Sequence, residues 1–284
     1  MKDWLNKNKL KIAVVTVLVC NILIWNFYLS LADGKLHLKF YDIGQGDAIF
    51  LETAGGYRIL VDGGPDNKLL EYLGEDLPFY SKNLDLVVAT HPQADHIAGL
   101  VEVIKQYKIG SLWINGDKAE TRLYQEWERA LRGNSVQPVV VAQGDKILFP
   151  DQTQIEVIWP KSGPQSLELN DRAIVLKITF GSFDALLTSD ADSRVQPYTS
   201  SLGHFEVFKV PHHGSKTGLK EDFVRSLSPE VSIISVGAKN RYGHPGQNII
   251  QFLITIGSKV YRTDQNGAVE IVTDGQTWYT KADR

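Results

Sequence analysis

A chain of 284 residues has room for one large domain or two small ones, and its 43% hydrophobic and 22% charged residues are the balance of a folded globular protein, which excludes a disordered chain. A net charge of −3 excludes a globally basic nucleic-acid binder, so any anion-binding surface must be local. The one cysteine, Cys20, sits in a hydrophobic N-terminal run, which excludes an internal disulfide framework and leaves His, Asp and Glu as the only metal-ligand types for the rest of the chain.

Lys2, Lys7, Lys9 and Lys11 precede a run from Ile12 to Leu31 that carries no charge. At about 1.5 Å per residue this run is about 30 Å long as a helix, the thickness of a hydrocarbon core. The lysines predict an N-terminus inside and the remainder outside, and Trp25 and Tyr28 fall where an interfacial aromatic belt forms. Residues 1–34 are therefore read as a cytoplasmic stub and a signal-anchor transmembrane helix. Residues 35–284 are read as one domain on the extracytoplasmic side of a single-pass cell-membrane protein. Ser30-Leu31-Ala32 has the form of a cleavage site, so the alternative is a domain secreted after signal cleavage.

From Lys35 the pattern becomes β-rich. Leu36, Leu38 and Phe40 alternate with polar residues, as a half-buried strand requires. Strands are predicted at Ile49 to Glu52 and Arg58 to Val61 around the turn Gly55-Gly56, then at Leu84 to Ala89. A helix over Ile97 to Tyr107, a strand over Ser111 to Ile114 and a helix over Thr121 to Leu131 follow. Further strands are expected at Pro138 to Val141, Ile155 to Trp159, Ala173 to Phe180, Phe183 to Thr188, Glu206 to Val210 and Val231 to Val236. Helices near Leu219 to Leu227 and Asn248 to Ile256, and terminal strands, complete a mixed α/β domain with two similar β-rich halves and no linker between them.

Five of the seven histidines fall in three short motifs, each just after a predicted buried strand, where α/β sheets form their sites. Thr90-His91-Pro92-Gln93-Ala94-Asp95-His96 places two imidazoles and a carboxylate in one tight loop, which suits a divalent cation; a helix cap would explain Asp95 but neither histidine. Leu186-Leu187-Thr188-Ser189-Asp190 ends a hydrophobic strand in a carboxylate able to ligate or bridge ions, with Asp192 as a helix cap. In Lys209-Val210-Pro211-His212-His213-Gly214-Ser215 adjacent side chains diverge, so one histidine suits a ligand and the other a proton donor or substrate contact. His244, in Asn240-Arg241-Tyr242-Gly243-His244-Pro245, is open to ligation, proton donation, substrate contact or a plain turn role. His37 and His204 lack such context and read as structural.

These motifs together resemble the metallo-β-lactamase superfamily, and more narrowly the extracellular nuclease-like domain of ComEC-type competence proteins. Phe40-Tyr41-Asp42-Ile43-Gly44-Gln45-Gly46-Asp47-Ala48, Leu60-Val61-Asp62-Gly63-Gly64-Pro65, Asn170-Asp171 and Tyr242-Gly243-His244-Pro245 carry the narrower likeness, from about Lys35 to the C-terminus. The resemblance implies an αββα four-layer sandwich after the N-terminal transmembrane helix. It also implies a competence-related hydrolase with one or two divalent ions, Zn2+ or Mn2+. His91, Asp95, His96, Asp190, His212 and His213 are the implied metal set; Asp95, His213, His244 and Lys209 are the implied catalytic set. Asp47 and Asp62 are placed nearby, where a carboxylate orients a ligating histidine. Position 93 is Gln where the superfamily has His, and the usual third ligand of one site is missing. Only His91, with Asp171 as its candidate helper, is left for that site, so one strongly held ion is expected. The ComEC channel portion is absent, so no transport role follows. Lys209, Lys216, Lys220, Lys239 and Arg241 flank the late histidines and favour a phosphodiester substrate, single-stranded DNA among them, over a lactam or lactone. A cell-envelope phosphoester and a degenerate, non-catalytic binding module are the alternatives, and no protein partner is inferable.

Overall fold

The computed structural model describes every residue except 1, 30–31, 79, 164–167 and 197–201, with side chains also undescribed at 2–7 and 23–29. Helix α1 (Lys2–Leu29) opens the chain. Among the described residues no helix is long and apolar enough to cross a membrane. The expected anchor runs partly outside that description, which omits Ser30, Leu31 and the side chains of Trp25 and Tyr28.

Two sheets follow. The first joins β1 (Leu36–Phe40), β2 (Ile49–Glu52), β3 (Arg58–Val61), β4 (Asn83–Ala89), β5 (Lys108–Ile114) and β6 (Pro138–Val140) in chain order. At its far edge β14 (Val269–Thr273) pairs antiparallel with β1, and β15 (Trp278–Ala282) with β14. The second sheet runs from β7 (Lys146–Leu148) through β8 (Gln154–Trp159), β9 (Val175–Phe180), β10 (Phe183–Leu187), β11 (Val207–Lys209) and β12 (Val231–Ile234) to β13 (Lys259–Arg262). Strands β3 to β6 and β10 to β13 are parallel, so their C-terminal ends point the same way within each sheet.

The period-2 alternation of the strands decides which side chains meet. Leu36, Leu38 and Phe40 face Ile155, Val157, Leu176, Ile178 and Val207 in a core between the sheets. The opposite face of the first sheet, with Phe50, Leu60, Val87 and Leu112, is covered by α2 (Lys68–Asp76), α3 (Ala94–Gln106) and α4 (Arg122–Gly133). The opposite face of the second sheet, with Leu186, Phe208 and Ile234, is covered by α5 (Glu221–Leu227) and α6 (Gln247–Thr255). The layers are therefore helix, sheet, sheet, helix.

The elements differ from the sequence expectation in five places. Helix α2 was not expected; its apolar content is mainly the buried pair Leu69 and Leu73, one turn apart, and Gly74 follows. Strand β7 and the single turn α7 (Thr263–Asn266) were also not expected. Strand β5 begins at Lys108 rather than Ser111. Helix α3 begins at Ala94, so Asp95 and His96 lie in its first turn rather than in the loop before it.

Candidate metal centre

The site lies where the C-terminal ends of β3, β4, β10 and β11 come together. At the end of β3, Asp62 adopts a left-handed backbone with φ 59° and is fully buried. Its carboxylate accepts from the Thr90 amide at 2.8 Å, from Thr90 Oγ1 at 2.7 Å and from His96 Nδ1 at 2.7 Å. With Nδ1–H committed to a carboxylate, His96 turns its Nε2 lone pair inward.

Two glycine turns grip the first turn of α3. The Gly63 amide donates to His96 O at 2.6 Å, and the Asp47 amide donates to Asp95 O at 3.2 Å. Gly46 has φ +143°, and a Cβ there would lie 2.2 Å from Asp95 O, so only glycine permits this approach. Asp95 is thereby held at a fixed height over the site.

On the second sheet the chain is again left-handed at each key point: Ser189 (φ 47°), His212 (φ 50°) and His213 (φ 53°). Such conformations are costly for residues with side chains and persist where surrounding bonds impose them. Here the His212 amide donates to Ser189 O at 3.1 Å, and His213 Nδ1 donates to Ser235 O at 3.0 Å. A carbonyl only accepts, so the proton is on Nδ1 and His213 Nε2 offers a lone pair to the site.

Asp95, His96, Asp190 and His213 each present one donor atom within 4.8 Å of the others. His96 Nε2 is 3.4 Å from Asp190 Oδ1, and His213 Nε2 is 3.5 Å from both Asp190 Oδ1 and Asp95 Oδ2. The buried His96 Nε2, His213 Nε2 and Asp190 Oδ1 make no hydrogen bond among the described residues. Ligands of a tetrahedral divalent ion at about 2.0–2.2 Å lie about 3.3–3.6 Å from one another. The donor chemistry, the spacing and the orphaned lone pairs all fit such an ion.

Electrostatics agree. Asp95 and Asp190 face the centre, Asp62 and Asp47 lie behind His96 and His213, and the ammonium of Lys209 is buried against Asp47. Burial opposes charge on His96, yet Asp190, Asp62 and Asp95 hold its pKa well above the ordinary value. Burial likewise opposes charge on Asp190, and His213, His96 and Lys209 overcome it, so the carboxyl stays well below the carboxylate range. Asp95 falls to about 2 for the same reason, with His96 and His213 overcoming its desolvation. The cluster is an anionic hole that recruits positive charge.

The other expected residues sit around this group. The His91 ring lies 4.2 Å from that of His96, tilted by 53°; its buried Nε2 makes no hydrogen bond among the described residues, and burial plus the His96 charge lower its pKa to about 3. It is a neutral donor outside the group of four. His212 is 29% exposed on the rim, with Nε2 4.0 Å from Asp190 and Nδ1 3.6 Å from Asp192. His244 lies further out, its ring 5.8 Å from that of His212. Gln93 gives its amide to Asn170, whose Nδ2 is 3.4 Å from His212 Nε2. Asp171, expected to help His91, pairs with Arg194 Nε at 3.0 Å. Lys209 departs from expectation: it is fully buried and also donates to Ser189 O at 2.9 Å, so it neutralises Asp47 rather than facing a substrate. Its strand explains why, since Lys209 shares the core-facing side of β11 with Val207 while Phe208 and Val210 face the helices. The Ser235 carbonyl was missed because a backbone acceptor leaves no mark on residue type. His204 sits at the surface, 3.5 Å from Glu206 and 3.4 Å from Glu230.

Comparison with known proteins gives the same picture. ComE operon protein 3 of Bacillus subtilis is 30% identical over 88% of this chain, and competence protein ComA of Neisseria gonorrhoeae is 26% identical over 85%. The match covers 35% and 33% of those two proteins, so the chain spans about a third of the length of the curated relatives it matches. The metallo hydrolase Igni18 of Ignicoccus hospitalis superposes with a TM-score of 0.53 at 16% identity, over 82% of this chain and 98% of that one, which is likeness of fold. The metallo-beta-lactamase superfamily model matches residues 41–238, the stretch that holds every donor in the group of four. Layered sheets, motif order and converging donors thus agree with the family match, and the chain belongs to the metallo-beta-lactamase superfamily.

Proposed function

We propose that this chain is a metal-dependent phosphodiesterase anchored in the cell membrane by its N-terminal helix, with its catalytic domain on the extracytoplasmic side. The carrying observation is the convergence of Asp95, His96, Asp190 and His213 on one point with lone pairs inward. A divalent ion in that set, Zn2+ or Mn2+, supplies Lewis acidity and a lowered water pKa.

The chain's own residues do the rest. Asp62 and the Ser235 carbonyl fix the tautomers of His96 and His213. His212, whose pKa is raised by the Asp192 carboxylate 3.6 Å away against the opposing effect of burial, holds a proton on the open rim where a leaving oxygen departs. His244 is the next imidazole outward and contacts the substrate. Lys216, Lys220, Lys239 and Arg241 lie in the loops around the late histidines and have no carboxylate partner among the described residues, which favours a phosphodiester, single-stranded DNA included, over a lactam or lactone. Gln93 spends its amide on Asn170 rather than turning it inward, which favours one firmly held ion over two.

Elemental analysis of the purified protein, paired with hydrolysis of bis(p-nitrophenyl) phosphate and single-stranded DNA, tests this reading. About one ion per chain and turnover of both substrates are expected, with both lost in Asp95→Ala/His96→Ala. Metal without phosphodiester cleavage would point to a lactam, lactone or cell-envelope phosphoester. No metal would leave a binding module, a reading that the substitution at Gln93 favours. Protease digestion of intact cells is expected to remove the domain and spare the residues before Ile12.

A further inference from the structure

Beyond the metal ligands, one aromatic side chain stands on the rim of the site. Tyr242 is 56% exposed, a large apolar surface left in water beside the site. Its ring lies nearly parallel to that of His244, with 17° between planes and 5.8 Å between centroids. The Arg241 guanidinium stands 5.3 Å from the Tyr242 ring centre and donates to its hydroxyl at 3.2 Å. From His244 the line of rings continues through His212, at 5.8 Å, to His213, at 6.3 Å, the member of the donor group.

The loop carrying this ring is held rigidly. Asn240 Oδ1 accepts from the amides of Tyr242 at 3.2 Å and His244 at 3.0 Å, while Asn240 Nδ2 donates to His244 O at 2.7 Å. The Gly246 amide donates to Gly214 O at 2.8 Å, and a Cβ on Gly214 would lie 2.6 Å from Pro245 Cβ, so the loop is docked against the turn of His212 and His213. An exposed ring on such a loop is ordered before a ligand arrives, and stacking on it costs little conformational entropy. Lys216 packs against Gly246 and stays exposed with no acidic partner among the described residues, as does Lys239 two residues before Arg241. A π face flanked by unpaired cations is the composition of a surface that stacks bases and tracks a phosphate backbone.

We infer that Tyr242, braced by Arg241 and aligned with His244, is a stacking platform for a nucleobase of a single-stranded substrate. It is a specificity residue that holds the nucleotide next to the bond to be cut. This rests on the phosphodiesterase reading for the identity of that bond.

The test measures binding of the full chain, with cleavage blocked by a chelator, to a labelled single-stranded hexanucleotide and to the same backbone with abasic units. Anisotropy gives affinity, and quenching of a 2-aminopurine in the normal strand reports stacking. The wild type is expected to prefer the base-bearing strand about tenfold and to quench the probe. Tyr242→Ala loses the preference and the quenching but keeps its affinity for the abasic strand. Tyr242→Phe retains both, and Tyr242→Leu, which fills volume without a π face, does not restore them. Equal wild-type affinity for the two strands, no binding of either, or an unchanged Tyr242→Ala would overturn the platform. So would loss of affinity for both strands alike in Tyr242→Ala, which marks a structural role. Base-dependent binding without hydrolysis by the metal-loaded protein sinks the phosphodiesterase reading and leaves the platform standing; hydrolysis indifferent to bases does the reverse.

Discussion

Lys209 and Asp47 face each other where neither is touched by water. Lys209→Met strands a carboxylate in the interior, which costs about 3–5 kcal/mol. Urea denaturation is expected to show that loss as a lower midpoint, and Asp47→Leu/Lys209→Met to recover most of it because both charges are gone. Asp62→Asn tests a different bond. Asp62 Oδ2 accepts from both Thr90 Oγ1 and His96 Nδ1, and an amide nitrogen in that position accepts from neither. The imidazole then carries its proton on Nε2, and metal affinity is expected to fall about 10- to 100-fold in competition with a chelating indicator. The convergence of Asp95, His96 and Asp190 was legible in the sequence because imidazoles and carboxylates cluster just after predicted strand ends, whereas His91, expected among the ligands, stands outside the group of four. Which of His212 and His213 turns inward was not legible, since that depends on two successive left-handed residues and on a carbonyl at Ser235.

The grip of the Gly44 to Asp47 loop on α3 makes a prediction about elements. Gly46→Ala drives a methyl group into Asp95 O, so the loop and the helix start must part. A loss of about 1–3 kcal/mol is expected from such overpacking, seen as a lower Tm together with reduced bound metal. Strands β1 and β14 carry a second prediction. His37 Nδ1 is 2.7 Å from Glu270 Oε1, one step diagonal to the register that pairs Lys39 with Glu270. The Glu270 hydrogen bond raises the pKa of His37 against desolvation, so its contribution is complete below about pH 6.5 and fades as pH rises through the folded value. Desolvation opposes charge on Glu270, but His37 and Lys39 lower it from 4.5 to about 2, so its contribution is complete above pH 4.5 and is lost toward pH 2. The pair supports the sheet edge most between about pH 4.5 and 6.5. His37→Ala is expected to remove about 0.5–1 kcal/mol in that window and less at pH 9. The core strands were legible because alternation survives in the letters; the short, largely exposed β7 was not. Helix α2 was not, because two leucines a turn apart do not distinguish a short helix from a loop over a core.

For the molecule as a whole, the group of four joins both sheets. Asp95 and His96 come from the end of β4, while Asp190 and His213 follow β10 and β11. An ion bound there stabilises only the docked arrangement, by about 2.7 kcal/mol at a hundredfold excess over Kd. Chelation is therefore expected to lower Tm by about 5–10 °C, with recovery on adding the ion back. The order of motifs along the chain made this architecture legible in advance; the seam between the halves was not, because β6 and β7 are short edge strands with weak patterns. That seam sets a sequence of events. Neither layer alone owns enough donors to capture a cation, so uptake waits until the two layers have closed on each other. The moment a colour-changing chelator surrenders its ion to refolding chain thus times the final assembly of the protein, a clock written into the split ownership of its ligands.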